Sequence, residues 1–122
     1  MNEKYRLEIE NFIKRFERFQ DARIVLYGIG RYTATLLEGL QGFHIVGLMD
    51  KDADNVGKVM FGLPVLDKAG AEEAADLVII NTAETYWDVI YSRIRDMKIP
   101  VYYLNGERAE QKEDDSTENP FR

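Results

Sequence analysis

Two glycines one residue apart, and an acid 20 residues past the second, are the positions in this chain whose types and spacing could do chemistry: Gly28, Gly30 and Asp50. Gly28 ends an apolar, β-rich run at 24–27, and a helical pattern follows from residue 31. At such a crossover the first glycine permits a tight turn out of the strand. The second leaves the backbone bare so that a phosphate can approach, and a third lets the helix pack closely on the strand. Free amides at the start of the helix, with its dipole behind them, attract the anion. Here the third position is Thr33, larger and branched, which predicts looser packing. Asp50 closes the second apolar run, where an acid can accept hydrogen bonds from a ribose. An acid there repels an added 2′-phosphate, so NAD is favoured over NADP. As a plain strand end, Asp50 would merely open a polar loop.

The neighbours of these residues complete the candidate site. Arg31 suits a phosphate through its fork of donors, or equally a solvated helix start. Tyr32 could stack on a base or pack on a loop. Ile29 lies between the glycines, and Lys51 follows the acid. Thr82 leaves the carboxyl end of a later strand, the side on which open α/β sheets bind ligands. A helix cap for the run beginning near Glu84 is the simpler role for it.

Other constellations fail on inspection. His44 is the sole histidine and the chain has no cysteine, so no zinc site or thiolate nucleophile can be assembled. Ser92 and Ser116 are the only serines, and neither sits in a nucleophile elbow. Asp50, Asp52 and Asp54 alternate as in a calcium loop. However, Asn55 and Phe61 occupy the places that require glycine and glutamate. Gly57-Lys58-Val59 lacks the glycine spacing and the hydroxyl of a P-loop.

The elements that must position the site read as one domain. The 122 residues are 45% hydrophobic and 31% charged, enough apolar material for a single core. A net charge of -6 without any Lys/Arg cluster argues against a nucleic-acid partner. No apolar run could span a bilayer, and the charged start MNEKYRLEIE has no apolar signal core, so a cytoplasmic protein is expected. Residues 3–20 predict an amphipathic helix capped by Asn2, with Tyr5, Ile9, Phe12, Ile13, Phe16 and Phe19 on one face. That stripe fits core packing, and it could also pair two subunits. Strands are predicted at 24–27, 43–49, 77–80 and 101–104. Helices are predicted at 31–40, after Asp67 to Ala75, and at 84–97. Around Gly62 and Pro64, 59–66 forms two short edge-like pieces.

Strands alternating with helices imply a parallel sheet between helical layers. The expected fold is therefore α/β: a three-layer Rossmann-like half of about four parallel strands, in spatial order 3-2-1-4, preceded by the amphipathic helix. The expected division is an amino-terminal helix at 1–20, the nucleotide-binding domain at 21–106, and a charged mobile tail at 107–122.

The runs IVLYGIGRYTATLLEGL, FHIVGLMDKDADNVGKVMFGLPVL and DLVIINTA resemble a bacterial module of surface-polysaccharide biosynthesis. Over residues 23–105 the chain is similar to the Rossmann domains that precede the catalytic part of nucleotide-sugar epimerases and dehydratases. It is also similar to the amino-terminal domains of some nucleotide-sugar acyltransferases and to small domains attached to glycosyltransferases. The resemblance implies that Gly28, Gly30 and Asp50 line a nucleotide or nucleotide-sugar site, and that Gly57, Gly62 and Pro64 shape the loop beside it. Thr33 departs from the pattern. No catalytic domain follows in these residues, which fits a fragment of a longer protein whose acidic tail begins a linker. The expected function is a non-catalytic module that binds NAD or a UDP-sugar, paired with a second copy or an attached catalytic domain. One alternative is an NAD-dependent or nucleotide-sugar-modifying enzyme that needs a second domain to cover its ligand. The other is an interaction domain that has lost its ligand.

Overall fold

The computed structural model describes residues 3–110. The expected Asn2 cap and the tail segment 111–122 lie outside the described residues. The chain opens with α1 (Glu3–Phe16) and a 3-10 turn at Glu17–Phe19. There follow β1 (Arg23–Tyr27), α2 (Thr33–Gly39), β2 (His44–Met49) and a two-stranded hairpin of β3 (Val59–Met60) and β4 (Leu63–Pro64). Then come α3 (Lys68–Ala74), β5 (Leu77–Ile80), α4 (Trp87–Ile94) and β6 (Val101–Tyr103). The expected helix over 84–97 is a 3-10 turn at Glu84–Tyr86 followed by the shorter α4. No described helix is long and apolar enough to cross a membrane.

All neighbouring strands in the main sheet run parallel, in the order β2-β1-β5-β6. The expected α/β class and the helices on both faces are observed; the expected order is corrected. In chain order the long strands stand second, first, third, fourth, not third, second, first, fourth. The reason lies at the outer edge of β2. There Val65 forms a single parallel bridge with Leu48, and the Leu66 amide donates to the Leu48 carbonyl at 2.8 Å. This contact fills the place of a third strand but cannot lengthen. Pro64 before it has no N–H to extend a ladder. Asp67 after it already caps α3, accepting from the Gly70 amide at 2.8 Å. The next full strand, β5, therefore crosses to the free side of β1.

Strand alternation sorts the core into two layers. Ile24, Leu26, Leu77 and Ile79 face α1 and α2, while Val25, Tyr27, Val78 and Ile80 face α3 and α4. Phe12 and Phe16 of α1 are completely buried in the first layer. Their rings lie 4.7 Å apart, and Phe12 meets Phe43 edge-on at 5.6 Å. The amino-terminal helix thus packs into the first layer of the core. With α2 it covers one face of the sheet.

The far edge of the sheet is also closed. Residues 107–109 were expected in the tail, yet they turn back along β6. The Tyr103 amide donates to the Glu107 carbonyl at 2.9 Å and the Ala109 amide to the Val101 carbonyl at 2.8 Å. Ala109 is buried. The return is made at Asn105-Gly106, where Gly106 has a φ of 94° and the Asn105 side chain accepts from the Glu107 amide at 2.9 Å.

Two stability outcomes follow from this packing. Phe16→Ala, which empties the centre of one layer, should cost about 3–5 kcal/mol in denaturant unfolding. The second concerns Asp76, which ties the start of β5 to the start of β1. Its carboxylate accepts from the Arg23 amide at 2.8 Å and from the guanidinium at 2.9 Å. These bonds, the guanidinium's first, hold the Asp76 carboxyl below the usual range. A depressed carboxyl stabilises the fold above its unfolded pKa and loses that contribution as pH falls through the folded one. Asp76→Asn should therefore lower the melting temperature modestly at pH 7. The gap from the parent should close as the pH is taken down through the acid range.

Candidate functional site

β1 and β5 lie side by side, and both end at the same rim of the sheet. The chain leaves β1 through Gly28, whose amide donates to the Met49 carbonyl at 2.9 Å. Beside it the Asn81 amide donates to the Tyr27 carbonyl at 2.8 Å, which presses the exit of β5 against the turn. Gly28 has a φ of 125°, and a Cβ there would lie 2.9 Å from the Thr82 methyl and 3.1 Å from the Asn81 carbonyl oxygen. Position 28 must be glycine on both counts.

Gly30 is different. Its φ is not positive, and a Cβ built on it would meet no atom within 4 Å. Nothing in the packing of the fold demands glycine there. Gly30 borders an open cleft of about 460 Å³. The glycine turn forms one side of that cleft. Asn81, Thr82 and Ala83 form another, α1 forms a third through Glu8, Asn11, Phe12 and Arg15, and Leu104 closes the end.

Thr33 corrects the expectation of loose packing. It is 3% exposed, and its hydroxyl oxygen accepts from the Gly30 amide at 2.8 Å. The branched residue in the third position thus pins the turn from within. That bond uses the Gly30 N–H. Among the described residues, the amides of Ile29, Arg31 and Tyr32 have no protein acceptor.

The structure gathers Gly28, Ile29, Gly30, Arg31, Tyr32, Thr33 and Thr82 around this one cleft. It does not bring Asp50 or Lys51 there. One oxygen of the Asp50 carboxylate accepts from the Asn55 side-chain amide at 2.8 Å and from the Asp52 amide at 3.3 Å. That oxygen shapes the 50–55 loop, and the other makes no hydrogen bond among the described residues. Thr82 does not cap the following helical turn. That place is held by Ala83, which makes no side-chain bond. The Thr82 methyl instead packs on Gly28, and its carbonyl accepts from the Trp87 indole at 3.0 Å.

Tyr32 is engaged as well. Its ring centroid lies 4.4 Å from that of Tyr5 on α1, and Arg31 stands 6.0 Å from the ring. Interaction between the two hydroxyls raises the Tyr5 pKa and lowers that of Tyr32, and Arg31 adds to the lowering. The pair fastens the start of α1 to the turn. Sequence reading missed Glu8, Asn11 and Arg15. Their spacing puts them on one side of a helix, but only the seating of α1 against the sheet turns that side toward the glycine turn. Among the described residues, neither Arg15 nor Arg31 forms an ion pair. Arg15 makes one long bond, from its guanidinium to the Leu104 carbonyl at 3.3 Å.

No protein-family model matches the chain, and no curated protein matches its sequence. Among solved structures the chain is similar to UDP-D-quinovosamine 4-dehydrogenase from Vibrio fischeri. The two share 16% identity over 79% of this chain and 84% of that one, with a TM-score of 0.51. A Rex-family repressor aligns at 15% identity and a TM-score of 0.49, over 77% of this chain and 50% of its own. At such identities the likeness is one of fold: this chain is a Rossmann-like α/β domain, a parallel four-stranded sheet flanked by helices.

Proposed function

We propose that this chain is a nucleotide-binding module, holding NAD or a nucleotide sugar such as a UDP-sugar in the cleft above Gly28–Thr33, and that it performs no reaction alone. The observation that carries this reading is Gly30: a position the fold does not require to be glycine, bare, and open to a cleft. A diphosphate laid there would meet the amides of Ile29, Arg31 and Tyr32 and the guanidinium of Arg31. The solved neighbour from Vibrio fischeri is, by its name, a UDP-sugar dehydrogenase, which supports a ligand of this class. The side chains around the cleft offer charge and hydrogen bonding. Glu8 is the single carboxylate among them. Binding is therefore the function assigned, within a cytoplasmic protein of sugar-nucleotide or surface-polysaccharide biosynthesis, where an attached or partner domain would do the chemistry.

Thermal unfolding with NAD, NADP, UDP and UDP-sugars tests this reading. A ligand at 100 times its Kd should stabilise the chain by about 2.7 kcal/mol. Gly30→Val should erase that shift while changing the stability of the unliganded chain by less than about 1 kcal/mol, because its side chain enters open space. Gly28→Ala should instead cost about 1–3 kcal/mol with or without ligand, from the positive φ and the clash with Thr82. A well-folded chain that no nucleotide stabilises would sink the proposal.

A further inference from the structure

Three polar side chains of α1 border the cleft opposite the glycine turn: Glu8, Asn11 and Arg15. They follow one another at helical spacing, all three residues are exposed, and the buried Phe12 behind them anchors that stretch of helix in the core. Their chemistry is mixed. Glu8 accepts, Asn11 both donates and accepts, and Arg15 keeps donors beyond its long bond to Leu104. Neighbouring hydroxyls, each both donor and acceptor, are the complement of such a set.

A flat base would need a different wall. On the α1 side of the cleft the one ring, Phe12, is 1% exposed, and Tyr32, on the glycine turn, lies tilted against Tyr5 with the centroids 4.4 Å apart. Asp50, the acid expected on an adenosine ribose, does not border this cleft, and one of its oxygens is bonded to its own loop.

Resting on the nucleotide-binding reading above, we infer that Glu8, Asn11 and Arg15 of α1 form a subsite for a sugar esterified to the diphosphate. The preferred ligand class is then nucleoside diphosphate sugars rather than NAD. The amino-terminal helix supplies the wall that a second half-domain supplies in a full dinucleotide fold.

Calorimetry on the 122-residue chain tests this with UDP, UDP-glucose, ADP, ADP-glucose and NAD. Glu8→Gln and Asn11→Ala are the variants, because both residues are exposed and neither side chain packs in the core. For whichever base binds, the glucose ester should bind at least ~10-fold tighter than the bare diphosphate. Each variant should lose roughly 5–10-fold for the ester, about the worth of one hydrogen bond, and leave the diphosphate unchanged. Diphosphate and ester binding equally, or both variants holding the ester as the parent does, would remove the sugar subsite and leave the phosphate site standing. NAD binding tighter than every glucose ester would overturn the preference. Binding of none of the five would remove the subsite together with the reading it rests on.

Discussion

The close approach of Gly28 to Asn81 and Thr82 is the contact on which the rest of the site depends. Two parallel strands that end side by side must send their chains away from each other, and here one does so through a residue with φ of 125°. Because no side chain stands at position 28, the exit of β5 can lie against the turn. The two segments then form adjoining walls of one cleft. Thr33 holds the other end of the turn, its buried hydroxyl on the Gly30 amide. Between these fixed points, Gly30 is left bare.

Around that contact the domain solves a coverage problem. A half-Rossmann sheet exposes two faces and two edges, and each exposed edge is a template for unwanted pairing. The bridge at Val65 guards β2, and the turn-back to Ala109 guards β6. On one face α3 and α4 suffice. On the other, α2 is a single short helix against a four-stranded sheet. α1 supplies the missing cover through Phe12 and Phe16, and the same placement turns its polar side over the glycine turn. Core packing and cleft formation are thus two consequences of one docked helix.

Charge is distributed to match. The chain carries a net -6, yet Arg15 and Arg31 border the cleft and neither is in an ion pair among the described residues. The described ion pairs sit elsewhere, on the outside of α1, at the start of the sheet and between α3 and the segment after α4. Among the described residues, no carboxylate stands on either arginine for an anionic ligand to displace.

Local signals in the sequence determined the layered α/β fold, the four long strands and the glycine turn. Each rests on local chemistry: apolar β-rich runs, helical periodicity, and the backbone freedom of Gly28. The hairpin-like return at Asn105-Gly106 was also written locally, as an Asn-Gly pair, although the charged residues after it read as tail. What only the tertiary structure decided depends on contacts between segments distant in the chain. β5 lies beside β1 because Pro64 and Asp67 keep the edge of β2 from growing a strand. Asp50 turns to Asn55 because a carboxylate takes the donors its own loop offers. Glu8, Asn11 and Arg15 reach the cleft because burying Phe12 and Phe16 fixes which side of α1 faces the sheet, and a helical period alone carries no record of its partner.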